Sequence, residues 1–402
     1  MDWSSHYAAR MGRMKGSEIR ERMKLIAAAD LIQLGGGLPD VSMFPVAAIA
    51  AACARILGDA DLAGTALRYA PSEGYEPLRG WIAGALTRSG APCTADNILI
   101  TNGSQQGLDF AARLLLSPGD LVAVETPSFI GALRAFDAYE PRYAALPTAV
   151  GSRPPAGARF GYIGSDFQNP SGRTLSRAER LSLIAACDDA GVPLLEDGCY
   201  VDLRFEGDPI PSVFALAVQA AGDVEAVGVL HTGSFSKTLA PSLRCGWIAG
   251  PSAVIRKLVL IKQAADLATS AFTQMIALDL AEGCLDEQVA RGRALYLRRR
   301  DAMLAALRDF MPPGVRWTRP EGGLYIWVEL PDGVDGAAVA ETALREQSVS
   351  VISGAAFFPQ DPQRNTLRLS YSLASEDAAR EGVRRLAGVI ALAAGATSPV
   401  QR

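Results

Sequence analysis

The chain has 402 residues, 49% of them hydrophobic and 20% charged, which allows a large core and excludes wholesale disorder. A formal net charge of −4, with both signs mixed along the chain, gives no electrostatic case for nucleic-acid binding. Six scattered cysteines with no C-x-x-C pair argue for free thiols in a reducing compartment. Two histidines, His6 and His231, argue against a histidine-rich metal site or a Ser-His-Asp triad, and no metal is expected. No apolar run is long enough to span a membrane, and the first residues lack a signal-peptide pattern, so a soluble cytoplasmic protein with no membrane partner is expected.

Ser17 to Ala29 reads as a helix, with Ser17 as its N-cap and Ile19, Met23 and Ile26 on one stripe; Arg20 lies between apolar neighbours. Leu31 to Leu34 is a short strand. Gly35-Gly36-Gly37-Leu38-Pro39 ends it and lets another group approach the backbone closely. Val46 to Leu57 is an alanine-rich helix, Leu67 to Tyr75 an irregular loop, and Pro77 to Arg88 another helix. From about residue 96, strand, loop and helix alternate. Buried strands are expected over Ile98–Thr101, Leu121–Glu125, Arg159–Gly164, Val192–Leu195, Ala226–Leu230 and Cys245–Gly250. Ser176 and Glu179 form a capping box for a helix that runs to Gly191.

This alternation predicts a parallel sheet covered by helices on both faces. The unusual polar sequences fall at the carboxyl ends of its strands, where such sheets bind ligands. Residues 151–158 are the most loop-like interior stretch. A helical stretch then runs from 250 to about 310, with Leu295 to Leu307 as one long helix and Arg298-Arg299-Arg300 on a solvated face. Strands over Gly322–Leu330, Val349–Ile352 and Thr366–Ser372 alternate with helices over about 335–347 and 375–394, which reads as a smaller α+β lobe.

The stretch from His231 to Trp247 places one lysine, several hydroxyls and an arginine at the mouth of a strand. A lone lysine there is most often a solvated loop residue. The alternative is a lysine that forms a Schiff base with a carbonyl cofactor. An enzyme using an aromatic pyridine cofactor also needs an acid at the ring nitrogen, donors for the ring oxygen, a stacking aromatic, a phosphate cup and a cation for the substrate carboxylate. Each need has a candidate at a strand end. Lys237 would carry the aldehyde and Asp197 would face the nitrogen. Asn169 and Tyr200 would bond the ring oxygen, and Phe129 would stack on the ring. Ser104, Gln105, Ser234, Ser236 and Arg244 would surround the phosphate, with Ser104 in a glycine and hydroxyl turn that feeds a helix over Leu108 to Leu116 and Arg244 able to bond bidentately. Arg368, inward on a small-lobe strand, would pair with a carboxylate. Singly, each has a plain structural alternative; Asp197, for example, would serve equally as a turn cap.

Ser234-Phe235-Ser236-Lys237 with Arg244, Asn169-Pro170-Ser171-Gly172, Glu196-Asp197-Gly198-Cys199-Tyr200, Gly103-Ser104-Gln105-Gln106 and Asn365 to Tyr371 together resemble the class I/II pyridoxal-phosphate aminotransferases of fold type I. Gly36-Gly37-Leu38-Pro39 with Phe44-Pro45, Tyr69 to Gly74, and Phe167-Gln168-Asn169-Pro170 are most similar to the 2-aminoadipate and kynurenine aminotransferase branch. The resemblance covers about residues 15–395. It implies an α/β fold, a large domain with a mostly parallel seven-stranded sheet flanked by helices, plus a smaller α+β domain. The arm and first helix would span 1–45, the large cofactor domain 46–285 and the small domain 286–402.

The resemblance further implies pyridoxal 5'-phosphate as cofactor, with Lys237, Asp197 and Tyr200 catalytic. It implies homodimers with shared active sites, Tyr69 reaching the phosphate of the neighbouring subunit's cofactor. Gly37 would close over the substrate, with Asn169 and Arg368 binding it. Arg20 would either read a distal carboxylate or be an exposed helix arginine. The expected reaction moves an amino group between an L-amino acid with an acidic or large side chain and a 2-oxo acid such as 2-oxoglutarate. The chain departs from the branch in Phe129, where a tyrosine is usual, in Gly164-Ser165-Asp166, in a short 144–159 segment, and in His231 and Cys199 near the site. These departures keep open a second outcome on the same cofactor: elimination, replacement, oxidation or carbon–carbon bond formation. The branch includes C-terminal domains of transcription regulators, but no DNA-binding domain is expected here.

Overall fold

The computed structural model describes residues 1–14, 16 and 31–397. The helix expected over Ser17 to Ala29, and Arg20 with it, lies outside the described residues. Strand β1 (Ile32–Gln33) is short and pairs in parallel with a segment far down the chain, Val349–Ser350. A seven-stranded sheet follows, made of β2 (Ile98–Thr101), β3 (Leu121–Val124), β4 (Arg142–Ala145), β5 (Ala158–Ile163), β6 (Leu194–Asp197), β7 (Val229–Ser234) and β8 (Gly246–Ala249). Its spatial order is β2-β8-β7-β6-β5-β3-β4. Neighbours are parallel except β8, which runs antiparallel to both β2 and β7.

The apolar runs are continuous because both faces of this sheet are covered. Side chains alternate between two cores. Ile98, Ile100, Leu194 and Val229 point to one; Leu99, Tyr162, Leu195 and Leu230 point to the other. That alternation carries past the apolar residues and separates adjacent polar ones. Glu196 falls on the first side with His231, and Asp197 falls on the second with Tyr162.

The second lobe holds β9 (Arg316–Trp317), β10 (Tyr325–Glu329), β11 (Val349–Ser350), β12 (Ile352–Ser353) and β13 (Thr366–Ser370). The strands β12-β13-β10-β9 form an antiparallel sheet. Its core draws on Leu34 from the N-terminal segment and on helices Leu285–Phe310 and Glu376–Thr397. The stretch Val349–Ile352, expected as one strand, is split at Val351 between two sheets.

Several expectations need correction. The strand leading to Lys237 starts at Val229, because Val224–Ala226 forms a 3-10 turn capped by Asp223; His231 to Ser234 are therefore inside the strand. Ala60–Leu67 is helical, since the Asp59 carboxylate accepts from the Asp61 and Leu62 N–H groups, and only Arg68 onward is irregular. Helices Ile130–Asp137 and Val213–Ala221 and strand β4 had no expected counterpart. The long helix runs from Leu285 to Phe310, beyond the expected 295–307. Of Arg298-Arg299-Arg300, only Arg298 is solvated. Arg300 is fully buried, where it donates to the Pro320 carbonyl at 2.8 Å and pairs with Glu206 and Asp301. Arg299 donates to the Ser372 carbonyl and pairs with Asp40 at 2.6 Å. A helix pattern cannot reveal partners that far away in sequence.

Candidate active site

The carboxyl ends of β6 and β7, the turn after β2 and the small-lobe strands β10 and β13 border one cavity of about 530 Å³, a size suited to a small molecule. Lys237 reaches it from the turn after β7. That turn is fixed because Phe235 is buried between Trp247 and Trp81, with ring centroids at 5.1 and 5.9 Å. The Lys237 amine donates to the Gly37 carbonyl at 3.0 Å and lies 5.7 Å from the Tyr200 ring centre.

Asp197 closes β6 and is 8% exposed. Its carboxylate accepts from the Tyr162 hydroxyl at 3.0 Å and from the Cys199 N–H at 3.3 Å. Burial pushes the Tyr162 hydroxyl well above its usual range, and Asp197 adds to that, so Tyr162 stays a donor. Burial likewise pushes Tyr200 up, with Tyr325 next in effect. The Cys199 thiol also rises, first by burial and then through Asp197, which removes it as a nucleophile at neutral pH.

One end of the cavity is built for an anion. Gly103, at φ +79, turns the chain from β2 into helix Ser104–Leu115 and exposes that helix's first N–H groups. Ser234 and Ser236 face each other at 2.8 Å between hydroxyls, and the Ser236 N–H donates to the Ser234 hydroxyl at 3.1 Å. Arg244 adopts a left-handed backbone, φ +49, and its guanidinium donates to the Asn102 carbonyl at 2.9 Å. A Cβ at Gly103 would lie 2.4 Å from that guanidinium, so only glycine fits there. Gln105 donates to the Gly131 carbonyl at 2.6 Å, and Phe129 precedes helix Ile130–Asp137 and packs over Gly131.

The other end holds a buried cation. Arg368 is 1% exposed. It donates to Asn169 Oδ1 at 2.8 Å and to the Gly35 carbonyl at 2.7 Å, and its Nε has no partner among the described residues. Its guanidinium stands 4.4 Å from the Tyr325 ring centre and 5.0 Å from that of Phe357. The Ser372 hydroxyl donates to the Gly36 carbonyl at 3.2 Å, so Gly35, Gly36 and Gly37 accept in turn from Arg368, Ser372 and Lys237.

The cavity thus brings together every candidate on the described chain except Tyr69, whose side chain is exposed at 86% and stands outside it. Sequence reasoning missed Tyr162, which bonds Asp197, and Tyr325, which lines the cavity; Glu125 lies outside the cavity lining. Glu125 accepts from the Gly164 N–H at 2.7 Å; burial pushes its carboxyl up to about 8 and Asp197 opposes its ionisation, against the bonds from Gly164 and Gln168. The donor set fits pyridoxal phosphate: hydroxyls, helix N–H groups and an arginine for phosphate, a buried carboxylate, a flanking ring and an amine. Among the described residues, no cluster of His, Cys, Asp and Glu is placed to hold a metal, and no helix is long and apolar enough to cross a membrane.

The family model "Aminotransferase class I and II" matches residues 29–142 and 162–386. The chain is similar to aromatic-amino-acid aminotransferase 1 of Thermococcus litoralis, 37% identical over 97% of this chain and 95% of that one. It is similar to the 2-aminoadipate transaminase of Thermus thermophilus, 36% identical over 96% of both. Among solved structures, the Thermus thermophilus α-aminoadipate aminotransferase complexed with N-(5'-phosphopyridoxyl)-L-leucine superposes with a TM-score of 0.89 at 34% identity, over 99% of this chain and 100% of that one. The kynurenine aminotransferase of Pyrococcus horikoshii gives 0.88 at 36% identity, over 97% and 98%. With its fold and its strand-end lysine on the cavity, the chain belongs to the class I and II aminotransferases.

Proposed function

We propose that the chain transfers an amino group from an L-amino acid with an acidic or large side chain to a 2-oxo acid such as 2-oxoglutarate, with pyridoxal phosphate held at Lys237. The observation that carries the reading is that Lys237, Asp197 and Arg368 line one cavity together with Ser104, Ser234, Ser236 and Arg244. Donors of both kinds appear among relatives: one is an aromatic-amino-acid aminotransferase and another a 2-aminoadipate transaminase. The site also has an apolar rim, Leu38, Pro241 and Leu373, suited to a large side chain.

Pyridoxal phosphate, when bound, supplies an aldehyde for the amino group and a ring that accepts the electron pair released at the substrate α-carbon. The chain's residues do the rest. Ser104, Ser234, Ser236 and Arg244 hold the phosphate, and Gln105 borders it. Asp197, anchored by Tyr162, keeps a proton on the pyridine nitrogen. Tyr200 and Asn169 would donate to the ring oxygen, and Phe129 would supply an aromatic face for the ring. Arg368 holds the α-carboxylate and so orients the α-hydrogen toward the lysine. The Lys237 amine, within reach of the Gly37 carbonyl, would take that proton off the α-carbon as general base and deliver it as general acid to the cofactor carbon that bore the aldehyde.

We propose a homodimer as the working unit. The support is the exposure of four apolar residues between positions 41 and 69, Val41, Val46, Leu67 and Tyr69, of which Tyr69 would reach a partner's phosphate. Light scattering should give twice the chain mass.

The test is an absorbance scan of purified protein with pyridoxal phosphate against a panel of amino acids. A visible band should form and give way to a near-ultraviolet pyridoxamine band with the true donor. Lys237→Ala should abolish the visible band and turnover. No visible band in the wild type, or no amino acid that converts it, would sink the reading.

A further inference from the structure

Tyr325 opens β10 directly after Gly322-Gly323-Leu324 and belongs to none of the motifs that point to the site. It is 2% exposed and lines the cavity. Three separate parts of the site meet on it. Its hydroxyl lies 3.1 Å from that of Tyr200, and the two rings meet edge-on at 5.8 Å and 76°. Its ring supports the Arg368 guanidinium at 4.4 Å. Its hydroxyl also occupies the space beside Gly37, where a Cβ would fall only 2.0 Å away, and the Gly37 carbonyl is the acceptor for the Lys237 amine.

We infer that Tyr325 is a positioning residue that tunes Tyr200. The inference rests on the function proposed above. Tyr200 has a single hydroxyl hydrogen. If that hydrogen goes to the ring oxygen of the cofactor, the bond between the two tyrosines must be donated by Tyr325. A hydroxyl that accepts one hydrogen bond becomes a better donor in the next. Tyr325 thereby strengthens the Tyr200 bond to the ring oxygen and favours the ionised form of that oxygen. Both hydroxyls are buried and edge-locked, so the donor direction, once set, has no solvent to compete with it.

Removing the Tyr325 hydroxyl then makes the bound cofactor hold its proton to higher pH. The readout is the pH midpoint of the visible absorbance of the holoenzyme, measured without substrate. Tyr325→Phe should raise the midpoint by about half a pH unit, the scale of one neutral hydrogen bond acting at second hand. The ring is kept, so maleate, a dicarboxylate probe, should bind with unchanged affinity. Tyr325→Leu removes the ring from beneath Arg368 and should weaken maleate about tenfold. Tyr371 is a buried neighbour whose hydroxyl donates to the Gly322 carbonyl at 2.8 Å, away from Tyr200, so Tyr371→Phe should not move the midpoint. In a Tyr200→Phe background, Tyr325→Phe should add no further shift.

A midpoint within a tenth of a unit of wild type in Tyr325→Phe, an equal rise in Tyr371→Phe, or additive shifts in the double variant would each overturn the inference. Absence of any visible band in the wild type defeats the function reading instead, which keeps the two failures apart.

Discussion

Glu196 and Asp197 are sequence neighbours with opposite tasks, and replacing the first isolates its share. Glu196 is fully buried and ringed by donors: the Ser165 hydroxyl, the Val213 N–H at 2.8 Å, the Phe214 N–H at 3.0 Å and His231 Nδ1 at 3.0 Å. Val213 and Phe214 open helix Val213–Ala221, so the carboxylate also meets the positive end of that helix. Burial alone would raise its pKa. The bond and charge of His231, then Ser165 and Phe214, outweigh burial and hold it at about 2, against 4.5 for a free glutamate. The folded pKa is depressed, so the stabilisation is full above the unfolded value and fades as pH falls from about 4.5 toward 2.

A shift of that size corresponds to about 3 kcal/mol at neutral pH. Glu196→Gln forfeits it, because an amide offers one acceptor where four donors converge and turns its own N–H groups against some of them. With an unfolding entropy of about 2 cal/mol/K per residue, a chain of this length should lose about 4 °C in melting midpoint. The assay is a thermal melt followed by tryptophan fluorescence at a series of pH values. The gap between wild type and variant should be full at pH 7, narrow as pH falls below about 4.5 and close toward pH 2. The cofactor band should survive at lower temperature, because Glu196 projects to the sheet face opposite Asp197 and Tyr162. A gap under 1 °C at pH 7, or one that stays constant down to pH 3, would refute the reasoning.

Two further substitutions probe the cavity side of the sheet. Tyr162→Phe removes a hydroxyl bond to a charged carboxylate and should lower kcat/KM about tenfold while the protein still folds and binds cofactor; steady-state kinetics that match wild type would contradict it. Arg368→Lys keeps the charge and loses the fork that serves Asn169 and Gly35. KM for the amino donor should rise at least about tenfold while the visible band of the resting enzyme is unchanged, and a KM within twofold of wild type would show that the carboxylate sits elsewhere.

The candidate site was legible where one residue type at a strand end implied one chemical need. Lys237, Asp197, Arg244 and Arg368 fall in this group; each alone has a plain structural alternative, and their joint placement at successive strand ends is what pointed to a site. The seven-stranded sheet was legible too, since strands covered on both faces read as unbroken apolar runs. Tyr162 and Tyr325 were not legible. Each reads as an ordinary apolar strand residue, and its role comes from a hydroxyl aimed across the sheet or across the lobes. Tyr325 and Tyr200 lie 125 positions apart in sequence. Arg300 was misread for the same reason, its partner Glu206 being 94 positions away. Helix Val213–Ala221 escaped because its nine residues are nearly all apolar, which hides any 3.6-residue period.

The run Gly35-Gly36-Gly37 shows how a feature can be readable in kind and opaque in purpose. Three glycines announce a turn with room for close approach. What approaches is specific. A Cβ at Gly35 would come to 3.1 Å of the Val351 backbone, one at Gly36 to 3.2 Å of Leu373, and one at Gly37 to 2.0 Å of the Tyr325 hydroxyl. The last cannot be relieved without moving Tyr325 off Tyr200. The carbonyls on the other side of the same backbone take the Arg368, Ser372 and Lys237 donors. Missing side chains on one side and engaged carbonyls on the other are therefore a single requirement: a backbone thin enough to lie between Tyr325 and Lys237 and still satisfy a buried arginine. Any side chain at Gly37 breaks the arrangement at both ends at once, which ties the carboxylate end of the site to the lysine end through one short stretch of main chain.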